Sequence, residues 1–179
     1  MTGVHEYFPA VSRWRIPASV VGDSYEELAR YGQRGTEGIA LWAGKRIYRK
    51  TAEITHVLLL RGVGIWRHRE MIRIAPALMN DVTDMLEALD ATLIGQIHSH
   101  APGYGVDLSS TDRHYGINVP YYLSVVAPDF AMRTPAINQW GVHVYEPVAG
   151  WRRLTPAAST SALEVIDGVR VPVSTVGCD

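Results

Sequence analysis

The residues whose types and spacing could do chemistry lie between Leu93 and Asp112, in the stretch LIGQIHSHAPGYGVDLSSTD. Leu93, Ile94 and Ile97, with Gly95 among them, read as a short buried strand. Side chains alternate faces along a strand, so His98 and His100 point the same way at its end. Two imidazoles side by side there make two corners of a metal site. Ala101-Pro102-Gly103-Tyr104-Gly105 is turn chemistry that folds the chain back, which offers Asp112 as a third ligand. Two histidines and one carboxylate leave a tetrahedral Zn²⁺ with one position open to water, the arrangement of a catalytic centre and not of a closed structural one.

An isolated His-x-His has a plainer reading, as hydrogen-bonded histidines at a strand end. A turn followed by Ser109-Ser110-Thr111-Asp112 makes the pattern more specific. A metallo-β-lactamase pattern wants an Asp-His pair soon after the second histidine, and Ala101-Pro102-Gly103 supplies none. An amidohydrolase needs a barrel of about 250 residues, which this chain is too short to build. HSHAPGYGVDLSSTD resembles the core motif of the JAMM (MPN-plus) metalloproteases, whose usual form is His-x-His, seven residues, then Ser-x-x-Asp. Here eight residues, Ala101 to Leu108, fill the gap, and the added one is assigned to Ala101. A surface loop absorbs one residue cheaply. The resemblance implies that His98, His100 and Asp112 hold zinc and that Ser109 helps to bind the oxyanion. It also implies a glutamate at the start of the first core strand, as the group that takes a proton from the attacking water and returns it to the leaving amine. Glu37 stands there, directly before Gly38 and the apolar Ile39-Ala40-Leu41-Trp42-Ala43-Gly44. A solvated loop glutamate is the alternative, but the neighbouring acids Glu26, Glu27 and Glu53 have structural places, which favours the functional role for Glu37. The Glu37–Gly44 variant looks most like the bacterial stand-alone branch of the family, associated with ubiquitin-like conjugation.

Around this motif the chain alternates helices and strands. Val11 to Val21 reads as an edge strand or extended lead-in broken by Pro17. Ser24-Tyr25-Glu26-Glu27 reads as a capping box that starts a helix at Ser24, stopped by Gly32 or Gly35. Ile54 to Leu60 is a second strand, with His56 as a core histidine. Arg61 to Arg73 is a basic run, read as a solvated face or hairpin and, alternatively, as a docking face for an acidic protein partner. Ala75 to Leu89 carries an apolar stripe at helical spacing behind Pro76. Arg113-His114-Tyr115-Gly116 continues a helical turn, with His114 off the metal. Tyr121–Val126, Gln139–Tyr145 and Trp151–Leu154 are further strands, with His143 outside the site. The Val165–Val171 segment reads as a hairpin.

At 179 residues the chain is long enough to bury about 70% of its unfolded surface in one core. A net charge of −1 gives no support to nucleic-acid or membrane binding. One cysteine, Cys178, rules out an intrachain disulfide. The opening MTGVHEYFPAVSRW lacks a signal-peptide pattern, and no apolar run approaches about 18 residues, so a soluble cytoplasmic protein is expected. The expected architecture is α/β, a mixed sheet flanked by helices. The resemblance, which covers Ser24 to Tyr145, implies the three-layer cytidine-deaminase-like fold for one domain over 1–155, with 156–179 as a C-terminal extension. It implies a zinc-dependent hydrolase of peptide or isopeptide bonds acting on a ubiquitin-like protein or its conjugate. The alternatives are a non-catalytic MPN-type scaffold and a zinc amidase acting on a small substrate.

Overall fold

The computed structural model describes residues 9–48 and 50–177, which leaves Cys178 outside the description. A short strand, β1 (Arg13–Pro17), runs straight into α1 (Ala18–Gly32). Two long strands follow, β2 (Ile39–Ile47) and β3 (Thr51–Leu60), then a small hairpin of β4 (Ile65–Arg67) and β5 (Ile72–Ile74). Next come α2 (Pro76–Ala88), β6 (Thr92–Ser99), α3 (Ser110–Tyr115) and β7 (Leu123–Ala127). The chain ends with β8 (Gly141–Glu146), β9 (Gly150–Arg153), α4 (Pro156–Ala162), β10 (Leu163–Ile166) and β11 (Val173–Val176). The main sheet is mixed and curled, in the order β10-β1-β3-β2-β6-β7-β8-β9, with β11 alongside the second half of β3. The expected α/β class, a mixed sheet flanked by helices, is therefore what the chain forms.

Period-two alternation on β2 shows how the layers are built. Ala40 and Trp42 face a core with Trp14, Ile97, Val125, Val142 and the α1 residues Tyr25 and Leu28. Ile39, Leu41 and Ala43 face the opposite core, where Leu58 and Leu60 of β3 meet Leu78 and Val82 of α2. Apolar residues on both faces bury the first six residues of β2, and the strand pairs antiparallel with β3 on one side and β6 on the other. Among the described residues no helix is long and apolar enough to cross a membrane.

Three local expectations need correction. Val11–Val21 is not an edge strand, since β1 lies between β10 and β3 and Ala18–Val21 already belong to α1. The helix does not start at Ser24; it begins at Ala18, behind Pro17, whose fixed φ suits a helix entry. Ser24 and Glu27 lie mid-helix and turn inward. Ser24 Oγ accepts from the Trp42 indole at 2.9 Å, and the Glu27 carboxylate takes a bidentate pair from Arg61. Both side chains have partners better than a helix end, and the local capping signal is overridden. Nor does the Val165–Val171 segment form a hairpin. β10 adds parallel to β1 and β11 parallel to β3, because each of those strands has an open edge whose N–H and C=O groups need partners.

Candidate metal centre

β6 places both histidines. It lies between β2, antiparallel, and β7, parallel, with His98 opposite Ile39 on one side and Val126 on the other. The centre thus sits at the carboxyl end of a strand in a parallel pair, where open α/β sheets leave a crevice. His100, one residue past the strand, is held by its backbone. Its N–H donates to the Ala127 carbonyl at 2.9 Å, and its carbonyl accepts from Phe130 N–H at 2.8 Å. That second bond comes from a turn in which Asp129, Phe130 and Ala131 all adopt left-handed φ values of 52°, 55° and 57°. Three such residues in a row are strained, and here the strained turn braces a site residue.

Three ligand atoms converge. His98 Nε2 lies 3.3 Å from His100 Nε2, and Asp112 Oδ2 lies 3.2 Å from His100 Nε2 and 3.6 Å from His98 Nε2. Ligands about 2.0–2.1 Å from a tetrahedral zinc stand about 3.3–3.4 Å from one another. The residues present therefore fit the ion in donor type and in spacing. Outer contacts fit as well: His100 Nδ1 is 3.2 Å from the Gly105 carbonyl, and a ring that donates Nδ1–H there can turn an Nε2 lone pair to a metal in place of the Nε2–H it offers Asp112 when no ion is bound. Gln96 stands 3.4 Å from His98 Nδ1 and accepts from the Tyr122 hydroxyl at 3.2 Å.

Asp112 is placed by a capping box. Ser109, the residue before α3, accepts from Asp112 N–H at 3.1 Å, and Ser109 N–H donates to Asp112 Oδ2 at 2.8 Å. The same carboxylate oxygen that faces the histidines is thereby oriented by the backbone of α3. Burial works to raise the Asp112 carboxyl, but hydrogen bonds from His100 and His98 outweigh it and hold the group well below the usual carboxylate range.

Glu37 arrives from the start of β2, the strand paired beside β6. Its N–H donates to the His68 carbonyl at 2.9 Å, and the next residue, Gly38, exchanges bonds with Ser99 at 3.0 Å in each direction. A Cβ on Gly38 would come within 2.7 Å of Leu28 Cα, so glycine is what lets the start of β2 close onto α1. Glu37 is 5% exposed and lines one cleft with Gln96, His98, Thr111 and Asp112. Burial first, then the charges of Asp112 and Glu70, push its carboxyl up to about 8.

The structure thus brings together Glu37, His98, His100 and Asp112. Ser109 sits at the helix cap, where it holds Asp112. His114 is exposed and stacks edge-on against Tyr115. Ala101 is buried, whereas residues 102–105 of the loop are exposed. The arginines of the basic run are partly committed inward: Arg61 to Glu27, and Arg67 over the Tyr31 ring at 3.8 Å. Gln96 escaped the sequence reading although a signal existed, since a polar residue two before His98 shares its face. The exposed contact of the Tyr104 hydroxyl with Glu70 had no such signal.

No protein-family model matches the chain, and no curated protein matches its sequence. Among solved structures it is similar to protein DSY2949 from Desulfitobacterium hafniense, determined in solution. The TM-score is 0.53 at 16% identity, over 88% of this chain and 94% of that one. At that identity the likeness is one of fold alone.

Proposed function

We propose that the chain is a zinc-dependent hydrolase of peptide or isopeptide bonds, of the JAMM type. The observation that carries the proposal is the convergence of His98, His100 and Asp112 within 3.6 Å of one another, beside a cleft lined by His98, Asp112 and Glu37. His98 and His100 through Nε2, and Asp112 through Oδ2, would hold the ion. When bound, zinc supplies a Lewis acid and a water acidified to about neutral pH. The Glu37 carboxylate takes the proton of the attacking water and delivers it to the leaving nitrogen, a task suited to a group whose basicity lies near neutrality. Ser109 keeps the Asp112 oxygen aimed into the cleft, and its hydroxyl hydrogen, unused in the cap, is available to an oxyanion.

On this proposal the fold is the three-layer cytidine-deaminase-like one, and the substrate is a ubiquitin-like protein joined through its C-terminus to a lysine. Arg69 and Arg73, both exposed, would form the remnant of the basic face for an acidic partner. Zinc content settles the first step. Purified protein should carry about one zinc per chain, and His98→Ala/His100→Ala should carry none; a metal-free wild type after zinc supplementation would sink the proposal. Glu37→Gln should keep its zinc and lose about a hundredfold or more in cleavage of a lysine-linked ubiquitin-like conjugate. An active Glu37→Gln protein would remove Glu37 from the chemistry.

A further inference from the structure

His143 lies on β8, two strands away from β6, and is fully buried. Its Nε2–H donates to Asp107 Oδ1 at 2.8 Å, while its Nδ1 is buried without a hydrogen-bond partner. A buried imidazole with one partner and one orphan nitrogen is costly in a core strand. The proposed chemistry does not use it. Its single partner, however, belongs to the loop that joins His100 to Asp112.

Asp107 is the centre of a small cluster. The same Oδ1 accepts from Leu108 N–H at 2.9 Å and from the Arg113 guanidinium at 2.9 Å. Arg113, which follows Asp112 directly, also donates through Nε to the Leu108 carbonyl at 3.3 Å. One residue earlier the loop rests on the same strand. A Cβ on Gly141 would collide with the Val106 carbonyl oxygen, so the loop backbone seats directly on the start of β8. Residues 106–108 are therefore fixed to β8 from below and to α3 from above, whereas residues 102–105 are exposed.

We infer that His143 is a positioning residue for the metal centre: through Asp107 it clamps the 106–108 end of the loop to β8, and so sets where α3 delivers Asp112. The inference rests on the metal reading of His98, His100 and Asp112. It explains why a loop one residue longer than the JAMM spacing still brings Asp112 Oδ2 to 3.2 Å from His100 Nε2. The extra length is taken up ahead of the clamp, and the chain is re-registered at Asp107 before the ligand. Without the clamp, slack in 102–105 would run through to Ser109 and blur the position of Asp112. The capping box orients Asp112 relative to α3, but it does not locate α3 relative to β6.

The test titrates Zn²⁺ alone into wild type, His143→Leu, His143→Gln and Asp107→Ala, against a chelating indicator dye. Thermal unfolding of each metal-free protein is recorded alongside. Leucine fills the buried site without a polar group, so metal-free His143→Leu should unfold at about the wild-type temperature, while its zinc affinity should fall about tenfold or more. Glutamine carries an N–H donor to nearly the same point and should restore most of that loss. Asp107→Ala, whose side chain is half-exposed, should weaken zinc as His143→Leu does, and its metal-free unfolding temperature shows how much leaving the buried His143 unpartnered costs. Co²⁺ in place of zinc should show a broadened, less tetrahedral absorption band in both weakened variants. Wild-type affinity in Asp107→Ala overturns the inference, and so does wild-type affinity in a folded His143→Leu. A wild-type protein that binds no metal overturns the underlying site instead, and the two failures are told apart by the first titration.

Discussion

Glu37 shows how far a single residue's environment governs this site. Its carboxyl is raised from 4.5 to about 8 by burial and by two neighbouring acids, so between those values the folded protein holds a proton that the unfolded chain has lost. Stability therefore falls as pH rises through that window: the contribution is complete below about pH 4.5 and gone above about pH 8. Metal-free protein should lose about 2–4 kcal/mol between pH 5 and pH 8. Glu37→Gln, which never ionises, should flatten that slope and be the more stable form at pH 8. Denaturant unfolding with a chelator present checks this, and parallel pH profiles for the two proteins would refute it. Asp112 has the opposite sign. Its depressed carboxyl contributes above the usual carboxylate range and keeps contributing into strong acid, so it adds no slope near neutrality. His98, His100 and Asp112 were legible in the sequence because strand parity and a short turn bring them together locally. His143 was not. Its partner Asp107 is 36 positions away, in a loop that meets β8 only in the folded chain.

The elements around the site depend on close approaches that residue types alone do not announce. A helix start was expected at Ser24, yet the working capping box is at Ser109, with Asp112 in the acidic position. The difference is what the serine faces. Ser24 is buried against Trp42, whereas Ser109 meets a helix end whose N–H groups have no other acceptor. The α2 helix was readable because its apolar period and Pro76 agree, whereas the β4–β5 hairpin was only one of the readings open to the basic run Arg61–Arg73. At the start of β2 the deciding feature is Gly38. Gly38→Ala would drive a methyl group into Leu28 Cα at 2.7 Å and force β2 and α1 apart. The expected cost is about 1–3 kcal/mol. Because Glu37 precedes this residue, turnover should fall further than stability does, while zinc content stays intact. Unchanged unfolding in Gly38→Ala would show that the two elements yield without strain.

At the scale of the molecule, the last twenty or so residues matter more than their composition indicates. The Pro/Ala/Ser/Thr-rich opening of this extension forms α4, and the two strands after it complete open edges of the sheet. Such parallel additions between distant strands carry no local sequence signal, since neither partner is near in the chain. Leu163, Val171 and Val176 are all buried, at about 1.5–3 kcal/mol each. Their sum is comparable with the net stability of an ordinary domain. A chain ending at residue 155 should therefore unfold at a much lower temperature than the full chain, or fail to accumulate as soluble protein. The consequence reaches the cleft. Val176 accepts from Arg61 N–H at 2.9 Å, Arg61 pairs with Glu27, and the β4–β5 hairpin that supplies the His68 carbonyl to Glu37 begins four residues later. A milder truncation, ending before Val173, removes β11 alone and leaves β10 on β1. It should melt less than the 155-residue chain does, yet expose the β4–β5 amides to hydrogen exchange and lower turnover without releasing zinc, because His98, His100 and Asp112 lie across β2 from the lost strand. Loss of zinc in that shorter truncation would instead tie the metal ligands themselves to the tail.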